Sequence, residues 1–153
     1  VGLHLDLPAF TFDQVQELND RYGKPFANVD QLVWLYELVE GHPFLTRRAL
    51  EFLMRSNSLS KLKELACSDD GPFGDHLKRV LVSVSQLEGV LIAMRNSLTN
   101  VVLADSRDVQ RLLAAGILVR RSSSNYEVRT KLYREYLSKR LGSMPSTSGS
   151  QRP

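Results

Sequence analysis

The sequence predicts a mainly α chain: a bundle of four helices, then three more helices, a small β-hairpin and a closing helix. Three observations predict it. Helix-capping residues recur just ahead of apolar positions spaced three and four apart, and glycines stand where those stretches stop. Beyond residue 100 the apolar pattern breaks into brief β-rich runs, followed by one last helical stretch.

The opening VGLHLDL alternates, placing Val1, Leu3, Leu5 and Leu7 on one face, and reads as a strand or extended arm ended by Pro8; residues 1–10 form an entry segment. In TFDQVQELNDRYG, Thr11 and Gln14 make a capping box, Val15 and Leu18 a core stripe, and Gly23 a left-handed end. NVDQLVWLYELVEG repeats the device, with Asn28 as cap, Gln31 closing the box and Gly41 as terminator. Pro43 suits the first turn of a third helix, where its missing N–H costs nothing. A short fourth helix around residues 59–66 completes a helical unit over residues 11–71.

CSDDGPFGD, small, acidic and rich in Gly and Pro, reads as the boundary before a second unit over residues 72–142. There the pattern predicts helices near residues 75–85 and 87–97, then a short strand at VVL (Val101, Val102, Leu103). Ser106 caps a helix over residues 107–115, Gly116 stops it, and ILVRR and YEVR flank the polar turn SSSN. A helix from Thr130 to Gly142 closes the unit, and the low-complexity residues 143–153 are expected to be disordered. Three helices, a hairpin and a closing helix in this order predict a winged-helix domain.

Charge divides the chain at the same place. Residues 1–71 carry 7 Lys/Arg against 11 Asp/Glu, whereas residues 72–141 carry 12 against 6. The second unit can therefore meet an acidic partner, or the two halves simply present differently charged solvated faces. Apolar residues at 42% and charged residues at 24% fit a folded globular chain. No apolar run is long enough for a bilayer, no secretory signal is visible, and the single Cys67 suits a reducing compartment, so a cytoplasmic location without membrane partners is expected. The chain starts without Met and is expected to be a fragment.

Catalytic patterns are sparse. His4, His42 and His76 have no partner at metal-ligand spacing and read as surface or cap residues. Asp69-Asp70 reads as a solvated acidic pair, and no Gly-x-x-x-x-Gly-Lys-Ser/Thr phosphate loop occurs. No catalytic or metal-binding residue is assigned, and the chain alone is not expected to be an enzyme. The basic wing is a second candidate: Arg107, Gln110 and Arg111 on the outer side of one helix, with Arg120, Arg121, Arg129 and Lys131 around the hairpin. A DNA-reading winged helix puts such a helix in the major groove and its wing on phosphates; a docking module uses the same arginines against an acidic protein surface. Gly41-His42-Pro43 also has two readings, a local helix–helix turn or a backbone corner held against a ligand.

Three landmarks in order, VGLHLDLPAFTFDQVQEL…YG, ELVEGHPFLTRRAL and LLAAGILVRRSSSNYEVRTKLYREYLSKRL, resemble the C-terminal portion of the bacterial AAA-like domain family, P-loop ATPases of the STAND type, over residues 1–141. The resemblance implies an AAA+-type lid bundle over residues 11–71 followed by the winged helix, both belonging to a signalling ATPase whose P-loop core lies upstream. It implies that Gly41, His42 and Pro43 form the lid corner that contacts adenine, with Arg47 or Arg48 as candidate phosphate sensors. ATP or ADP is then the cofactor of the intact parent, none being held by this portion alone. The partners implied are the upstream core and other domains of a multidomain signalling protein. A winged-helix DNA-binding protein is the alternative expectation, and a helical adaptor that binds only protein is a third.

Overall fold

The computed structural model describes residues 8–142, so the expectations for the opening alternation, His4 and the tail lie outside the described residues. The chain forms α1 (Phe12–Arg21), α2 (Val29–Val39), α3 (Pro43–Ser56), α4 (Leu59–Leu65), α5 (Gly74–Ser85), α6 (Glu88–Leu98), α7 (Arg107–Ala114), β1 (Leu118–Ser122), β2 (Asn125–Val128) and α8 (Lys131–Gly142). The described part is mainly helical with one small antiparallel hairpin.

Local chemistry sets most helix ends. Thr11 Oγ1 accepts from Gln14 N–H and Gln14 Oε1 accepts from Thr11 N–H, the reciprocal box expected for α1. At α2 the box is displaced by one residue: Asn28 Oδ1 caps Gln31 N–H, but Gln31 Oε1 accepts from Ala27 N–H rather than from the cap. Ser58, Ser106 and Thr130 cap α4, α7 and α8 through their hydroxyls. Gly116, at φ +75°, ends the α7 stretch as expected.

The VVL strand is not formed. The sheet is two-stranded, β1 with β2, and Val101–Leu103 has no ladder; Val102 stands 85% exposed. Instead Val101 N–H donates to Asn96 O, which folds the segment back over the end of α6. Two adjacent valines and a leucine do not make a strand without an edge to pair with.

The hairpin turns on Ser123-Ser124, tighter than the expected SSSN. It pairs Leu118 with Val128 and Arg120 with Tyr126, with an irregularity between Arg120 and Ser122.

Apolar side chains from α1 through α8 form one continuous buried cluster, from Val15 to Leu141. Helix α8 packs on α2, α5 and α6, so the last element reaches back to the second. The CSDDGPFGD stretch takes part in this packing. Pro72, Phe73 and Gly74 are buried, and Asp69 accepts from Tyr136 Oη (2.8 Å) and Arg140 (2.7 Å) of α8. Asp69 thus stays partly exposed, in keeping with its solvated reading, and is in addition a partner of the closing helix, while Asp70 is exposed.

A buried asparagine fixes the α1–α2 loop. Asn19 Nδ2 donates to Phe26 O (2.9 Å) and its Oδ1 accepts from Phe26 N–H (3.1 Å), satisfying both ends of the amide.

Candidate functional site

The corner between α2 and α3 is built by three consecutive residues with different tasks. Glu40 caps α2 with φ +49°, and Gly41 follows at φ +73°. Gly41 is buried because the entry segment lies directly on it: Phe10 N–H donates to Gly41 O (2.8 Å). A Cβ on Gly41 would collide with the Phe10 carbonyl oxygen. The backbone that approaches this glycine is thus the chain's own. Tyr36 Oη donates to the Phe10 carbonyl, and Arg47 lies 5.8 Å from the centre of the Phe10 ring, holding the segment from both sides.

His42 caps α3 through Nδ1, which accepts from Leu45 N–H at 3.4 Å, and Pro43 opens the helix at its first position. Beside them is a ring cluster that no sequence spacing announces. His42 meets His76 edge to face at 5.5 Å, the His76 ring lies near-parallel to those of Phe44 (5.1 Å) and Tyr133 (5.7 Å), and His76 Nε2 is hydrogen-bonded to Tyr133 Oη at 2.7 Å. α3, α5 and α8 meet here.

Burial pulls His42 down to about 4, with the charges of Arg129 and His76 adding to the effect. His76 is also lowered, by burial first and then by Arg79 and Arg129, and burial pushes Tyr133 up to about 12. Both imidazoles are therefore neutral near pH 7. Unfolded histidines take up protons near pH 6.5, well before the folded ring does, so the unfolded chain binds more protons between about pH 6.5 and 4. Stability is expected to fall as pH drops through that window. His42 accounts for about 1–2 kcal/mol once solvent screening of a half-buried ring is allowed for. Urea midpoints at pH 7.5 and 4.5 check this: His42→Asn, which keeps a capping acceptor but does not titrate, should show the smaller drop.

A cleft of about 580 Å³ opens beside the corner, lined by Pro8, Ala9, Glu40, the end of α7 and Arg120, Arg121 and Arg129 from the hairpin side. It is a broad, open groove rather than an enclosed cavity. The other predicted residues are dispersed. Arg48 Nε donates to Pro72 O (3.2 Å) and its guanidinium pairs with Glu51 (3.7 Å), so it ties α3 to the α4–α5 connection while Arg47 faces Phe10. Gln110 donates to Asp105 (2.7 Å), Arg111 pairs with Asp108 (3.4 Å), and Lys131 reaches Glu135 (4.0 Å). Arg107 is exposed on the first turn of α7. Arg120 rests on the Tyr126 ring at 5.2 Å. The outer face of α7 is thus a mixture of both charges. Among the described residues no group of three or more His, Cys, Asp or Glu could hold a metal, and no helix is long and apolar enough to cross a membrane.

The fold and corner define a mainly helical module that presents a rigid helix–helix corner and an arginine-lined cleft. The chain belongs to the AAA-like domain family, whose model matches residues 1–139. No curated protein and no solved structure matches it.

Proposed function

We propose that this chain is the nucleotide-sensing lid and winged helix of a bacterial STAND-type AAA-like signalling ATPase, acting in the cytoplasm on ADP or ATP held against an upstream P-loop core. The lid is α1–α4 and the winged helix is α5–α8 with its hairpin. The observation that carries the reading is the convergence at one corner of the incoming segment, through Phe10 on Gly41, with the hairpin arginines across the adjoining cleft. A chain entering over the corner brings whatever precedes it to that place. Family membership supports the same reading.

The residues present fit one side of a nucleotide. Pro43 is half-buried and Phe44 is 45% exposed beside it, giving apolar surface for a purine. Arg120 and Arg129 supply positive charge for an anion in the cleft, while Arg121 there is already paired with Glu40 and Glu127. The phosphate loop and magnesium site belong to the core, so this portion senses the nucleotide and does not hydrolyse it. Bound nucleotide changes the balance between closed and open arrangements only through contacts that differ between the two.

Joined to its upstream core, the protein should retain ADP, while the 153-residue chain should bind none. In the joined form Pro43→Ala should weaken ADP retention about tenfold, as expected for one lost apolar wall of a purine site. Equilibrium dialysis with labelled ADP reads this directly, and unchanged retention removes Pro43 from the adenine site.

A further inference from the structure

We infer that the Glu40–Arg121 ion pair is a latch clasping the hairpin to the α2–α3 corner, through which the nucleotide-dependent state of the corner reaches the hairpin. The inference rests on the nucleotide reading above for its regulatory half only. Arg121 Nη2 donates to Glu40 Oε1 at 3.1 Å, and Arg121 Nε donates to Glu127 Oε2 at 2.8 Å. Among the described residues this is the one side-chain hydrogen bond from the hairpin to residues 8–71.

Both partners sit at backbone irregularities that aim them at each other. Glu40 is a non-glycine residue at φ +49°, a conformation that L side chains rarely adopt. Arg121 is the extra residue of β1 where the register shifts between Arg120 and Ser122. Such a bulge turns a side chain out of the regular alternation of the strand.

The pair stands at the mouth of the arginine-lined cleft, which both residues help to line. Glu40 is also the immediate neighbour of Gly41, on which the entry segment is seated. Any shift of the corner that moves Glu40 therefore pulls on the hairpin. Glu127 keeps Arg121 extended from the strand when Glu40 moves away, so the clasp can reclose. The pair is half-exposed on both sides, which makes it weak enough to open and sensitive to salt.

Hydrogen exchange on the full chain without nucleotide tests the clasp. Glu40→Gln should speed exchange of the β1 and β2 amides about twofold to fivefold, the range of an exposed ion pair, and the effect should vanish in 1 M salt. The same substitution placed on Arg121→Gln should add nothing. Unchanged exchange in Glu40→Gln, or an equal effect persisting without Arg121, overturns the latch and leaves the nucleotide reading untouched. In the protein joined to its core, Glu40→Gln should also speed ADP release twofold to fivefold. Unchanged release there, with ADP still retained by the parent, overturns the regulatory half. A parent that retains no ADP overturns the nucleotide reading itself, and with it the regulatory half, while the clasp is judged by exchange alone.

Discussion

Gly41→Ala is expected to lower unfolding stability by about 2–4 kcal/mol, among the largest effects of any single-methyl addition in this chain. Two causes add. An alanine at φ +73° occupies the left-handed region at a cost of about 1 kcal/mol. Its Cβ must then displace the Phe10 carbonyl, breaking the bonds that Phe10 makes with Gly41 and Tyr36. Gly23→Ala separates the two causes. Gly23 has a similar φ of +85° but nothing near the position of an added Cβ, so it should show the conformational cost alone. Urea unfolding with unchanged m-values would report both substitutions, and equal losses would show that the entry segment is not seated on the corner.

Tyr136→Ala should cost about 3–5 kcal/mol, the range for deleting a large buried aromatic ring. Tyr136 is fully buried and is among the largest such side chains in the chain. Its hydroxyl donates to Asp69 while Arg140 lies 4.7 Å over its ring, so one side chain joins α8 to the connection before α5. Tyr136→Phe keeps the ring and loses only the Asp69 bond, and should retain most of the stability. Thermal and urea denaturation of the pair give the split. A phenylalanine variant as weak as the alanine one would place the anchor in the hydroxyl rather than in the buried ring.

The helices were legible in the sequence because their causes are local. Thr11, Asn28, Ser58, Ser106 and Thr130 each bond a backbone N–H within three residues, and those signals are read without knowing the fold. The hairpin was legible for the same reason, since Gly116 precedes two short β-rich runs and the serine turn separates them. VVL misled because a strand requires a partner edge, which composition cannot supply. The CSDDGPFGD stretch is the connection between α4 and α5, as its composition indicates, but its packing was not legible. Its Gly, Pro and Asp residues are those of a loop, yet Phe73 is fully buried and Asp69 is held by α8, contacts made across 67 and 71 positions.

The corner was legible as a place and less so as a mechanism of packing. Gly-His-Pro is conspicuous, but Phe10 reaches Gly41 from 31 positions earlier, and His76 and Tyr133 reach His42 from α5 and α8. His42 is a cap, one of the roles the sequence allowed it, while its ring neighbours had no signal at all. Arg107, Gln110 and Arg111 do lie on the exposed side of α7; what sequence could not show is that Arg111, Arg121 and Lys131 each bond to an acid one turn or one strand away.

The reach of α8 back to α2 has a consequence for biosynthesis. A ribosome delivers α1–α4 well before residues 131–142 emerge, so the nascent chain carries an uncovered apolar face on α2 throughout that delay. The twelve-residue closing helix is therefore the last piece of that core to arrive.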